Sequence, residues 1–290
     1  MSAVDVRGEA LTDTSAHARS NQAKASGPGD KVFMRVYAIS DLHTDFKENR
    51  LLVEGLSDDA FKGDALVVAG DVADQLGVIE YTLALLRSKF RHVCYVPGNH
   101  ELWVRDGAYD SMEKLRRVLE ACRRVGVETN TVRLDGLWLV PLFSWYDPAF
   151  DGDDDRGVEE LEGWADFYFC KWPAGVTDVC QHFLDMNEAN IRRADGPVIS
   201  FSHFLPRRDL LPPREYLRFK NLPKVAGCAP LDGQIRRLKS VTHVFGHSHI
   251  NTDRVIDGVR YVNNALRYPR ERTAAAAGFP LKVIWDGRET

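Results

Sequence analysis

A chain of 290 residues, 44% hydrophobic and 28% charged, has the makings of a globular protein with a sizeable buried core, as one large domain or two small ones. A net charge of -4 with a pI near 6.2 offers no basic field to a nucleic-acid backbone. No apolar run approaches the ~20 residues that span a bilayer, so neither nucleic acid nor membrane is an expected partner.

Residues 1–30 are rich in Ala, Ser, Gly and Asp, lack the apolar core of a secretory signal, and read as a disordered leader. Asp5, Glu9 and Asp13 count against a transit peptide. From residue 31 the chain reads as a single domain to 290. Apolar, β-branched runs predict strands at 33–40, 64–70, 91–98, 137–144, 197–202, 241–246, 259–264 and 281–285. Between them, Ile79, Leu83, Leu86 and Phe90 fall at helical spacing. A clearer helix starts after Asp110, with Glu113 completing a capping-box pattern, and stops at Gly126. Residues 181–194 and 231–239 are further helix candidates. Strands alternating with helices predict an α/β architecture with a covered sheet. Residues 143–175 break the rhythm with an acidic turn at 151–155 mixed with Trp145, Tyr146, Trp164, Phe167, Tyr168, Phe169 and Trp172. They read either as an excursion that carries specificity or as an aromatic mini-core. Five scattered cysteines without a C-x-x-C pair fit a reducing cytoplasm.

Polar groups gather at the strand ends. Strand 33–40 runs into Asp41-Leu42-His43, and strand 64–70 into Gly70-Asp71, with Asp74 three residues on. Strand 91–98 is followed by Asn99-His100-Glu101, strand 197–202 by His203, and strand 241–246 by His247-Ser248-His249. If the strands share a direction, these five segments meet at one sheet edge, the usual ligand edge of an open α/β sheet. In extended chain, i and i+2 face the same way, so D-x-H and H-x-H each present two groups to one side. Carboxylate, amide and imidazole donors suit Mn, Fe, Zn or Co. Asp41, His43, Asp71, Asn99, His203, His247 and His249 are too many for one ion and fit two ions sharing a bridging carboxylate.

D-x-H, G-D-x-x-D, G-N-H-E, a single His and G-H-x-H, spread over residues 41–249, together resemble the signature of the calcineurin-like metallophosphoesterases. The resemblance implies a four-layer α/β/β/α sandwich with two central mixed sheets. It implies Asp41, His43 and His249 on one metal, Asn99, His203 and His247 on the other, and Asp71 bridging. The ions would be a divalent or mixed-valence pair of Mn, Fe or Zn. His100 then corresponds to the catalytic histidine beside the phosphoryl group, and Asp74 to the carboxylate that orients it, with Glu101 as the other candidate for that task. The implied activity is hydrolysis of a phosphate mono- or diester by metal-activated hydroxide, with a small phosphate ester as substrate.

Departures narrow the branch. Phosphoprotein phosphatases of the superfamily follow G-D-x-x-D with Arg-Gly, whereas Gln75-Leu76 stands here; that activity is the alternative within the enzymes. A non-catalytic scaffold of the same fold is the alternative outside them, although such members lose ligands or the catalytic histidine. Arg207 and Arg208 are candidates to meet a substrate phosphate or carboxylate, set against a solvated basic turn. Arg105 and Trp103, just behind G-N-H-E, are candidates of the same kind. No pattern marks an oligomeric interface.

Overall fold

In the computed structural model, residues 33–105, 107–152, 161, 163–191, 195–272 and 279–287 are described. The leader assigned to residues 1–30 and positions 153–155 of the acidic turn lie outside them. Among the described residues the strands are β1 (Val36–Ile39), β2 (Ala65–Ala69), β3 (His92–Val96), β4 (Val132–Leu134), β5 (Leu137–Pro141), β6 (Val198–Phe201), β7 (Thr242–Phe245), β8 (Thr252–Ile256), β9 (Val259–Asn263) and β10 (Lys282–Trp285). The α-helices are α1 (Lys47–Glu54), α2 (Leu76–Lys89), α3 (Ser111–Val125), α4 (Ala165–Phe169), α5 (Val179–Asn187) and α6 (Pro230–Arg237).

The strands form two mixed sheets, ordered β10-β1-β2-β3 and β4-β5-β6-β7-β9-β8. In the first, β1, β2 and β3 run parallel and β10 is antiparallel at the edge. In the second, β5, β6, β7 and β9 run parallel, with β4 and β8 antiparallel at the edges. All eight predicted strands form. The two missed ones are edge strands; β8 exposes Asp253, Arg254 and Val255 and so lacks an apolar run.

Side-chain alternation builds the layers. Val36 and Ala38 of β1, Val67 of β2 and Val96 of β3 face inward, against Leu139, Ile199, Phe201 and Val244 of the second sheet. The intervening residues Tyr37, Ile39, Leu66, Val68, Val93 and Tyr95 face outward, under Ile79, Leu83 and Leu86 of α2 and Val118 and Cys122 of α3. On the far side, Val140, Phe245 and Tyr261 meet Leu184 of α5 and Leu231 and Ile235 of α6. Helix, sheet, sheet, helix: four layers follow from strands that are apolar on both faces. Helix α3 begins and ends as its sequence indicates. The Asp110 carboxylate accepts the Glu113 N–H at 2.8 Å, and Gly126 closes the helix in the left-handed conformation.

Described residues of the 143–175 segment join the core between the sheets. Trp145 packs on Tyr146, Trp172 and Phe204, with ring centroids 4.9–5.2 Å apart, and joins the core between the sheets. Asp151 is tied by its buried carboxylate to Arg214 and lies 3.9 Å from Lys224 Nζ, so it links this segment to the connection between β6 and α6. Removing one partner strands the other charges away from water. Asp151→Ala is therefore expected to lower the unfolding free energy by about 3–5 kcal/mol, read from urea denaturation.

Candidate metal centre

The loops after β1, β2 and β3 converge with those after β6 and β7, as parallel strands deliver their carboxyl ends to one edge. Two groups of side chains offer ligand atoms within 4.8 Å of one another, Asp41–His43–His249 and Asp71–His203–His247. A third, His43–Asp71–His100, shares His43 with the first and Asp71 with the second, and so joins the two halves of the cluster. Asn99 completes the second group, its Oδ1 lying 3.1 Å from both His203 Nε2 and His247 Nδ1.

The convergence does not come from extended chain. Asp41, His43, Asp71, His247 and His249 all have φ between 42° and 66°, in the left-handed region that non-glycine residues seldom adopt. The D-x-H and H-x-H pairs thus meet through strained turns rather than strand alternation. Backbone bonds hold those turns across strands: Asp41 N–H donates to Gly70 O at 3.0 Å and His43 N–H to Asp71 O at 2.9 Å. Two glycines make room. A Cβ on Gly98 would sit 2.2 Å from Asp71 Oδ1, and one on Gly70 2.3 Å from His203 Nδ1.

The donor chemistry fits cations. His203 Nδ1 lies 3.0 Å from the Ala69 carbonyl, which fixes it as the donor and leaves Nε2 a bare lone pair in the neutral ring. That lone pair faces Asn99 Oδ1 at 3.1 Å, His247 Nδ1 at 3.2 Å and Asp71 Oδ2 at 3.4 Å. Asn99 Oδ1 and an ionised Asp71 Oδ2 can only accept, so they and the lone pair repel unless a positive charge sits among them. With a proton as that charge, burial alone would lower the His203 pKa, but Asp71 and Asp41 outweigh burial and push it up to about 9. The other half behaves alike: against burial, Asp41 and Glu271 push His249 up to about 10.

Of the supporting predictions, Glu101 braces rather than touches His100. It is fully buried and accepts the backbone N–H groups of Asp71 (3.1 Å), Val72 (2.6 Å), Ala73 (3.3 Å) and Gly98 (2.6 Å), so it locks the β2 and β3 loops together. Asp74 does not make the bond to His100 that the resemblance implies. Its carboxylate takes the Arg105 Nε–H at 2.5 Å, and its N–H turns to Asp45 Oδ2 at 3.2 Å. Among the described residues no hydrogen bond joins Asp74 to His100. Arg105 is half-exposed, paired with Asp74 and laid over Phe169 at 4.2 Å. Arg207 is drawn away by Asp209, Asp232 and Asp257, the last in the turn before β9, at the opposite end of that strand from the site. Arg208 falls in a short 3-10 turn at 208–210.

His100 has other partners, which sequence reasoning missed. Its Nε2 lies 3.2 Å from the Tyr268 hydroxyl and 3.8 Å from Asp71 Oδ2, and Trp103 backs the ring at 3.7 Å. Tyr268 also stacks on His43 at 4.2 Å. Glu271 Oε2 meets His249 Nδ1 at 2.6 Å, and Asp166 receives the Asn99 amide N–H at 2.9 Å. These three residues sit in irregular or short segments and carry no periodic signal.

The calcineurin-like phosphoesterase family model matches residues 34–251, which hold every residue of the cluster. This chain belongs to that family. Calcineurin-like phosphoesterases use a dinuclear metal site, and this one is a metal-dependent phosphoric ester hydrolase. It is similar to the [acyl-carrier-protein] phosphodiesterase PptH of Mycobacterium tuberculosis, with 30% identity over 260 residues, 81% of this chain and 78% of that one. Among solved structures it is similar to phosphopantetheinyl hydrolase PptH from Mycobacterium tuberculosis, with a TM-score of 0.72 at 27% identity, covering 87% of this phosphoesterase and 96% of the other. Among the described residues no helix is long and apolar enough to cross a membrane.

Proposed function

We propose that this phosphoesterase cleaves the phosphodiester joining a phosphopantetheine arm to a serine of an acyl carrier protein. The observation that carries this reading is its likeness to PptH along most of both chains, which favours a diester on a protein over the free small ester expected from the sequence. Residues 31–290 act as one catalytic domain. Asp41, His43 and His249 would hold one ion, Asn99, His203 and His247 the second, and Asp71 would serve both. The N/O donor set fits Mn, Fe or Zn. Such a pair, when bound, supplies Lewis-acid polarisation of the phosphoryl group and a hydroxide nucleophile at neutral pH.

The remaining work falls to the protein. His100 gives its Nε2 proton to the departing serine oxygen, since an alkoxide is a poor leaving group at neutral pH. Trp103 and Tyr268 keep that ring from turning away. Burial lowers the His100 pKa, and Asp71, then Asp166 and more weakly Asp74, oppose it through space. The five cysteines are buried thiols and fit a cytoplasmic setting.

Incubation of the metal-loaded enzyme with a phosphopantetheinylated acyl carrier protein is expected to remove the arm, seen as a mass loss on the intact carrier. An unchanged carrier mass, alongside steady turnover of bis(p-nitrophenyl) phosphate, would reject the substrate while keeping the hydrolase.

A further inference from the structure

The segment between Phe143 and Gly175 supplies none of the ligands assigned above, yet one of its side chains reaches Asn99. Asp166, in the first turn of α4, is 2% exposed. Its Oδ1 receives Asn99 Nδ2–H at 2.9 Å and Trp103 Nε1–H at 2.6 Å, and its Oδ2 receives Trp164 Nε1–H at 2.8 Å. All three partners donate only. An ionised carboxylate is the one common side chain of this size that accepts at both ends.

That demand decides how Asn99 lies. An amide has one accepting end and one donating end. With Nδ2 committed to Asp166, Oδ1 must face the opposite way, where it stands 3.1 Å from His203 Nε2 and from His247 Nδ1. Turned over, the amide would set its oxygen against the Asp166 carboxylate and its NH2 against the place of a cation. Trp164 strengthens the link from another side, its ring lying edge-on to His247 with centroids 6.0 Å apart and stacked on Phe219 at 5.7 Å.

We infer that Asp166 is a positioning residue for the second metal site: through the Asn99 amide, it makes the aromatic segment a determinant of how tightly that site alone holds its ion. This rests on the assignment of Asn99 as a ligand. Outer partners of metal ligands typically govern affinity by about 10–100-fold, which sets the expected size of the effect.

The test is calorimetric titration of metal-free protein with Mn(II), together with metal counting and a melting temperature of the metal-free form. Asp166→Asn offers one accepting end to three donors and releases the amide. One ion should bind as in the wild type and the second about 10–100-fold more weakly, with metal-free melting little changed. The exchange variant Asn99→Asp/Asp166→Asn should recover the second ion, because a carboxylate at 99 presents oxygen whichever way it turns. Two tight ions in Asp166→Asn would overturn the inference. So would a weakened second ion that the exchange leaves unrecovered, or a collapse of metal-free melting, since each makes Asp166 merely structural. Asn99→Ala reports on the ligand assignment itself: if that variant keeps both ions, the assignment fails first and the inference with it.

Discussion

Replacing His100 with alanine is expected to lower turnover by ~10²–10⁴, the usual loss for an acid–base group, while both ions stay bound. The geometry sets two roles against each other. His100 Nε2 is near enough to Asp71 and His43 to be counted among possible ligands, but its hydrogen-bond partner is the Tyr268 hydroxyl and its Asp71 contact is 3.8 Å. A proton donor and a ligand fail differently. Loss of a donor hurts an ester with an alkoxide leaving group far more than an aryl ester, whose phenolate departs unaided. Loss of a ligand lowers metal content and damages both equally. Measuring turnover on both ester types beside metal content therefore separates them, and a fall to one ion would move His100 into the ligand set.

Asp71→Asn should be more damaging still. Asp71 is grouped with His43 of one half and with His203 and His247 of the other, and its anionic charge would stand where two cations otherwise repel. Its Oδ1 also accepts the His100 backbone N–H at 3.1 Å. Metal affinity is expected to drop by more than the ~100-fold upper range of outer-partner changes, and turnover should fall to background. Metal counting after dialysis checks it; retention of two ions would remove Asp71 from its bridging place.

The two substitutions address residues that were visible in the sequence, and it is instructive why others were not. The strands were legible because burial on both faces leaves unbroken apolar runs such as those of β2 and β7. The seven ligand candidates were legible because each follows a strand directly, so its position is fixed by local chain. Asp166, Tyr268 and Glu271 reach the site only through the path of loops, and no period encodes such a path. Helix α1 escaped because its eight residues bury only Asn49 and Val53. The pairing of Asp74 with Arg105 instead of His100 is likewise a matter of which loop comes near. The D-x-H and H-x-H residues do converge, but through left-handed turns and not the extended chain expected, since such backbone at an aspartate or histidine leaves no trace in composition.

Asp41, His43, Asp71 and Asn99 follow strands of one sheet, and His203, His247 and His249 follow strands of the other. Each ion would thus be gripped from both plates of the sandwich, like a rivet. Any opening of the sandwich must first let go of the metal, so free metal at 100 times its dissociation constant would add about 2.7 kcal/mol per ion against unfolding. Durability and activity would then rise and fall together with metal supply.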